Sequence, residues 1–236
     1  MAETLWTGGP LLEQAPGVFP MGTDSVLLGH FAPCGPRDRI LDLGTGSGIL
    51  PLLLLGRCPE ASVTALEKSP VACDLARRNM AQNGLTQQVQ LILGDLRDHR
   101  TLLPAGGFDL TISNPPYFVQ GAGYAAAKGL EEARGEGGCT IEELCQAAAW
   151  ATRWGGRFCL VFRPERLADL LYSLRTWGLE PKCLRPVHHS PGRAAILLLL
   201  EARRGGKPGL RWEPDLYLRT ESGQETAELR EIYHRS

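Results

Sequence analysis

The stretch Leu41-Asp42-Leu43-Gly44-Thr45-Gly46-Ser47-Gly48 decides the fold. It closes an apolar run, Arg39–Leu43 (RILDL), with the composition of a short buried strand, and leads into Ile49–Gly56, which starts a helix. Glycines at such a junction let the chain turn sharply and let a ligand touch the backbone. A dinucleotide-binding loop requires GxGxxG. Counted from Gly44, the third glycine of that pattern falls on Ile49. The spacing here is GxGxG, preceded by an acid at Asp42.

Outward from this loop, strand-like runs alternate with longer helical patterns. Ser62–Leu66 (SVTAL), Val89–Leu93 (VQLIL), Phe108–Ser113 (FDLTIS) and Arg157–Phe162 read as strands. Ser69–Asn83, Thr140–Arg153 and Pro164–Trp177 read as helices. Ser69 can cap, Pro70 fits a first helical turn and Asn83-Gly84 can end the segment. Thr140 and Glu143 stand at capping-box spacing. Pro181–Val187 and Ala194–Leu200 look like a closing strand pair. This alternation predicts a doubly wound α/β fold with a mostly parallel sheet covered on both faces. Ligands in such sheets bind at the carboxyl ends of the strands. The chain reads as one domain over residues 1–236, with a lead-in at 1–38 and a polar tail at 219–236 that can form a short helix from Glu225 to Tyr233. The segment 117–140 is rich in Gly, Ala and Glu, and its length predicts a lid beside the site.

The carboxyl ends hold the unusual residues. Glu67 ends the second strand, 19 residues after Gly48, where an acid can accept from both hydroxyls of a ribose. Gly94-Asp95 follows the third strand, where Asp95 can also cap the segment after it. Asn114-Pro115-Pro116-Tyr117 follows the fourth. The lone pair of an adenine N6 amine is delocalised into its ring, so the amine must be drawn towards tetrahedral geometry before it attacks. The Asn114 oxygen and the Pro115 carbonyl can both accept from that NH2 group, and Pro115 stiffens the chain. Tyr117 supplies a face on which a base can stack.

Composition narrows the classes. Of 236 residues, 43% are hydrophobic and 22% charged, as in an ordinary globular chain. No apolar run approaches the ~18–20 residues of a membrane span, and Met1–Pro10 lacks the features of a secretory signal, so the expected location is the cytoplasm. The seven cysteines form no CxxC pair and read as buried hydrophobes or free thiols, and the adjacent His188 and His189 read as loop residues, so no metal is expected. The net charge of −1 hides an asymmetry: Ala151–Trp212 carries 12 Lys and Arg against 4 Asp and Glu, which fits a polyanionic partner or a solvated face.

Taken together, the four segments resemble the amino-methylating branch of class I methyltransferases. Phe19-Pro20-Met21-Gly22-Thr23-Asp24-Ser25-Val26-Leu27-Leu28 is similar to the GTD-x-x-LL element of the tRNA1(Val) (adenine-37-N6)-methyltransferase family. Arg163-Pro164-Glu165-Arg166-Leu167, Gly178-Leu179-Glu180-Pro181-Lys182 and Gly206-Lys207-Pro208-Gly209-Leu210 resemble its Gram-positive relatives. The resemblance covers roughly residues 17–234 and implies a Rossmann-like, seven-stranded methyltransferase sheet, its first five strands parallel and its last two an antiparallel closure. It implies S-adenosylmethionine as cofactor, held by Thr23, Asp24, Asp42, Gly44, Gly46, Gly48, Glu67, Asp95 and Asn114, with Asp95 at the adenine amino group. It implies Asn114, Pro115 and Tyr117 as catalytic residues acting on an RNA adenine, by resemblance in a tRNA. In one place the chain departs from the pattern: Gly135 stands where these relatives usually carry a His. Two other readings stay open, methylation of a protein glutamine amide, which poses the same chemical problem, and a non-catalytic cofactor- or RNA-binding module.

Overall fold

A computed structural model describes residues 2–115 and 139–234. Two short strands, β1 (Ala2–Thr4) and β2 (Leu11–Glu13), pair antiparallel as a small hairpin. Helix α1 (Thr23–Phe31) follows, then β3 (Arg39–Leu43), the glycine loop and α2 (Ile49–Arg57). The pattern continues with β4 (Ser62–Glu67), α3 (Pro70–Gln82), β5 (Val89–Leu93), a one-turn α4 (His99–Leu102) and β6 (Phe108–Ser113). After the undescribed stretch come α5 (Ile141–Ala151), β7 (Thr152–Phe162), α6 (Leu167–Thr176), β8 (Leu179–His188) and β9 (Ala195–Arg204). Strands β10 (Arg211–Trp212) and β11 (Leu216–Tyr217) precede a terminal helix, α7 (Ala227–Ile232).

The local signals form as read. The Ser69 hydroxyl accepts from the Ala72 amide at the start of α3, with Pro70 in the first turn. Thr140 and Glu143 close a reciprocal capping box on α5. Among the described residues the main sheet has nine strands, in the order β10-β8-β9-β7-β6-β3-β4-β5, with β11 beside β8. Strands β3 to β7 are mutually parallel, and β9 runs antiparallel between β7 and β8. The expected seven strands are thus present, and β10 and β11 extend the β8 edge by parallel pairing. Strand β7 begins earlier than expected, at Thr152, where it pairs with Phe108 ahead of an irregularity in register. The Thr152 hydroxyl lies 2.8 Å from that of Thr111 and donates to the Ala148 carbonyl, so α5 ends and β7 begins at one buried polar knot.

Both faces of the sheet are covered. Along β7, Phe158, Leu160 and Phe162 join one apolar cluster while Cys159 and Val161 join the other. The first cluster includes Leu144, Leu170 and Leu174 of α5 and α6; the second includes Leu27, Leu28 and Leu54 of α1 and α2. With helices on both faces, the carboxyl ends of the parallel strands are where loops gather, and the strand-end residues lie there. Among the described residues no helix is long and apolar enough to cross a membrane.

Candidate functional site

The glycine loop is held by its neighbour strand. The amides of Gly44 and Thr45 donate to the Leu66 carbonyl at 2.9 and 3.1 Å. Gly44, Gly46 and Gly48 all adopt positive φ (78°, 57° and 84°), which other residues resist. Around Gly44 and Gly46, an added Cβ would meet nothing within 4 Å, so this side of the loop is open to a ligand. At the end of the loop, the buried Asn79 of α3 donates to the Ser47 carbonyl at 2.8 Å. The same side chain donates to the Glu13 carbonyl and accepts from the Glu13 amide, which bolts β2 to the loop.

Two acids sit against this turn in different ways. Glu67, at the end of β4, accepts from the Gly46 amide through Oε2 (2.9 Å) and from the Ser69 amide through Oε1 (2.8 Å). Each carboxylate oxygen still has a second lone pair with which to accept from a ligand. Asp42, at 0% exposure, has no hydrogen-bond partner on either oxygen among the described residues, and neither does the Thr45 hydroxyl. Burial pushes the Asp42 carboxyl up to about 7; the nearby Thr45 hydroxyl opposes the shift and the negative charge of Glu67 adds to it. A buried acid with no partner, beneath an open glycine loop, suits a ligand that brings a cationic donor. Hydroxyl donors suit the spare lone pairs of Glu67. S-adenosylmethionine, with an ammonium and two ribose hydroxyls, fits this donor set.

Asp95 adjoins Glu67, because the Gly94 amide donates to the Glu67 carbonyl. Its capping reading holds: Oδ1 accepts from the Arg97 amide at 2.9 Å and starts a 3-10 turn (Leu96–Asp98). The Arg97 guanidinium grips both oxygens, at 3.0 and 2.6 Å, and holds the carboxyl below its ordinary range.

Asn114 closes the other side. The Ser113 hydroxyl donates to the Leu43 carbonyl at 2.7 Å, tying the end of β6 to the strand that enters the glycine loop. The Asn114 Nδ2 group donates to the buried Ser25 hydroxyl, in the first turn of α1, at 2.9 Å. In this orientation the amide nitrogen faces Ser25, which leaves the oxygen as the open acceptor. Asp24 folds back to accept from the Ser25 amide at 2.9 Å, and its Oδ1 lies so close to Gly22 that a Cβ there would push the carboxylate aside. Thr23 is tied to the tail, accepting from the Tyr233 hydroxyl at 3.2 Å. Pro115 is buried, while Pro116, Tyr117, the expected lid up to residue 138 and Gly135 lie outside the described residues.

The expected site residues Asp42, Gly44, Gly46, Gly48, Glu67, Asp95 and Asn114 are therefore gathered at one end of the sheet. Ser25 and Asn79 were missed. Ser25 lies within the quoted GTD element, and only that placement could have flagged it; Asn79 had no signal beyond its helical segment. His188 is occupied, its Nδ1 2.6 Å from the Arg193 carbonyl and its Nε2 3.3 Å from Asp215. Among the described residues no group of three or more His, Cys, Asp or Glu could hold a metal.

Known proteins bear on this arrangement. The profile of the methyltransferase small domain family matches residues 12–168. A protein of Porphyromonas gingivalis named tRNA1(Val) (adenine(37)-N6)-methyltransferase is 33% identical over 189 residues, spanning 78% of this chain and 74% of its own. One of the same name from Tolumonas auensis is 35% identical over 204 residues, spanning 84% of this chain and 81% of its own. Among solved structures, one described as a predicted O-methyltransferase from Agrobacterium tumefaciens superposes with a TM-score of 0.73 at 22% identity, over 90% of this chain and 96% of its own, a likeness of fold.

Proposed function

Because the chain belongs to the methyltransferase small domain family, and within it to the tRNA1(Val) (adenine(37)-N6)-methyltransferases, we propose that it methylates the N6 amine of an adenine in RNA, in a tRNA as its relatives' names state. It is a methyltransferase, and S-adenosylmethionine is its cofactor. That cofactor supplies an electrophilic methyl group on a sulfonium.

The observation that carries the choice of substrate is the fixed Asn114 amide. Ser25 takes its nitrogen, so its oxygen is the group offered to an incoming NH2. In this reading Asn114 and the Pro115 carbonyl accept from the target amine and turn its lone pair towards the methyl group. Such an interaction strengthens as the amine pyramidalises and so acts on rate. Tyr117, on the sequence argument, stacks on the extruded base. Glu67 holds the ribose hydroxyls of the cofactor, Asp42 its ammonium, and Asp95 its adenine amine while keeping its cap. Thr23 and Asp24 support from α1, the helix that also carries Ser25. No general base is needed, because positioning supplies most of the effect. The cytoplasm, where such an RNA is met, is the place of action, with no metal and no membrane involved.

Mass spectrometry of nucleosides from unmodified tRNA, incubated with cofactor and with or without the protein, tests the reading. N6-methyladenosine should appear only with protein. Label from the cofactor in protein glutamine instead of RNA would move the chain to the amide-methylating alternative. Transfer to neither would favour a binding module.

A further inference from the structure

The arginine-rich segment is not one surface. Arg163 and Arg166 follow β7, and Arg193 lies between β8 and β9, all at the carboxyl end of the sheet. Arg185 is occupied by Glu228 at 2.6 Å and by the Pro214 carbonyl at 3.0 Å. The rest gather at the opposite end and climb the β8–β10 edge.

There Trp154 and Trp212 are 75% and 59% exposed. The Trp154 indole lies over Gly205, where any Cβ would strike the ring. Arg203 Nε donates to the Gly155 carbonyl at 2.9 Å, and Lys182 Nζ to the Lys207 carbonyl at 3.1 Å. Of the acids nearby, Asp109 pairs with Arg39 and Arg153, Glu180 with Arg175, and Glu213 with Arg211, while Glu201 on β9 is in none of the ion pairs among the described residues. Among the described residues Lys182, Arg203, Arg204 and Lys207 make no ion pair, so their charge is surplus. Register partners run from Trp212 through Leu184, Leu200 and Leu160 to Ser113, the neighbour of Asn114. Four strand spacings at ~4.8 Å put this edge about 19 Å from the candidate site.

We propose that this edge, centred on Lys182, Arg203, Lys207 and Trp212, is a second RNA contact that grips the substrate away from the nucleotide being methylated. It rests on the RNA reading above and adds the class of substrate: a folded RNA that extends past its target loop, not an isolated short strand. Surplus cations neutralise phosphates, and an exposed indole on the same edge offers a face for an unstacked base. Four cations outside any ion pair against the single acid Glu201 leave no excess of negative charge for a basic partner.

The test measures binding of unmodified tRNA and of a short adenine-containing single strand, by fluorescence anisotropy over a range of salt, with cofactor binding and thermal melting as checks of fold. The triple variant K182E/R203E/K207E should bind tRNA at least about tenfold more weakly, with a log–log salt slope shallower by roughly 2–3, one phosphate contact per reversed charge. Methylation of the short strand should keep its wild-type rate. Trp212→Ala should weaken tRNA binding by up to about tenfold, and Trp212→Phe should restore it. Should charge reversal disturb folding, the milder K182Q/R203Q/K207Q takes its place. Unchanged tRNA affinity and slope would overturn the proposal, as would equal loss for the short strand. A wild-type protein that neither binds nor methylates any RNA would bring down the RNA reading and this surface together; one that methylates tRNA while the variants bind normally would remove this surface alone.

Discussion

The two halves of the sheet treat polar groups in opposite ways. At the β3-β4-β5 half, polar side chains turn inward and hold backbone: Glu67 takes two amides, Asn79 spans two elements, and Ser113 reaches across from β6 to the Leu43 carbonyl. Asp42 and Thr45 are left unmatched there. At the β7-β9-β8-β10 half, charges face solvent, pair along the surface and leave a cationic surplus beside exposed indoles. The first arrangement is stiff and shaped for a small ligand with defined donors. The second is open and suits an extended polyanion whose contacts need not be exact in position. Asn114 directly follows β6, where the two halves meet.

Removing that meeting point should have the largest effect. Asn114→Ala should keep its fold and most of its cofactor affinity while single-turnover transfer to RNA falls by roughly 10²–10³, the scale of losing one positioned transition-state partner. Transfer at the wild-type rate would break the assignment of β6 as the chemical junction. Next comes Asp42. Its folded carboxyl is raised to about 7 from an ordinary 3.8, so its contribution to stability is full below about pH 4 and is lost as pH rises through about 7. Ligand-free Asp42→Asn should therefore be more stable than wild type near pH 8, by on the order of 2–4 kcal/mol, and should converge with it only near pH 4, while its cofactor affinity falls. Melting curves at the two pH values decide; a difference independent of pH would mean the acid is not held at a cost. Glu67→Ala should weaken cofactor binding by about 1–3 kcal/mol in calorimetry, because two amides and the ligand hydroxyls lose their acceptor. No change would place the ribose elsewhere. Smallest is Ser25→Ala, which should slow transfer by about tenfold or less through a freed amide, with KM for RNA little moved and Ser25→Thr close to wild type. Loss of cofactor affinity instead would make Ser25 a structural residue of α1.

Much of this was legible in the chain. Strands β3, β5 and β6 match their expected ends to the residue, because each is an apolar run stopped by Gly, Gly-Asp or Asn-Pro. Helix α1 was not read as a helix: Asp24 to Gly29 are all buried, so it lacks the one-sided pattern by which helices are recognised. The start of β7 was hidden by Arg153-Trp154-Gly155-Gly156, a polar and glycine-bearing stretch that pairs only across an irregular register. Strands β10 and β11, two residues each, are too short for any periodicity. At the site, the strand-end acids and Asn114 could be read because position in a parallel sheet confers their role. Ser25 could not, because its partner lies 89 residues away and only the folded chain brings a hydroxyl to that amide. That Asp42 lacks a partner is likewise a fact of packing, invisible in its identity.

Asn79 joins the carbonyl that ends the glycine loop to both backbone groups of Glu13. That one amide makes the N-terminal hairpin and the loop share an opening equilibrium, although the hairpin touches none of the strand-end acids by any bond described above. Thermodynamic linkage then runs both ways: whatever free energy a bound cofactor adds to the closed loop also protects the Glu13 amide from exchange with solvent, and trimming the hairpin must cost cofactor affinity by the same coupling. Strands β1 and β2 are in this sense a remote extension of the binding site, readable by hydrogen exchange at the Glu13 amide.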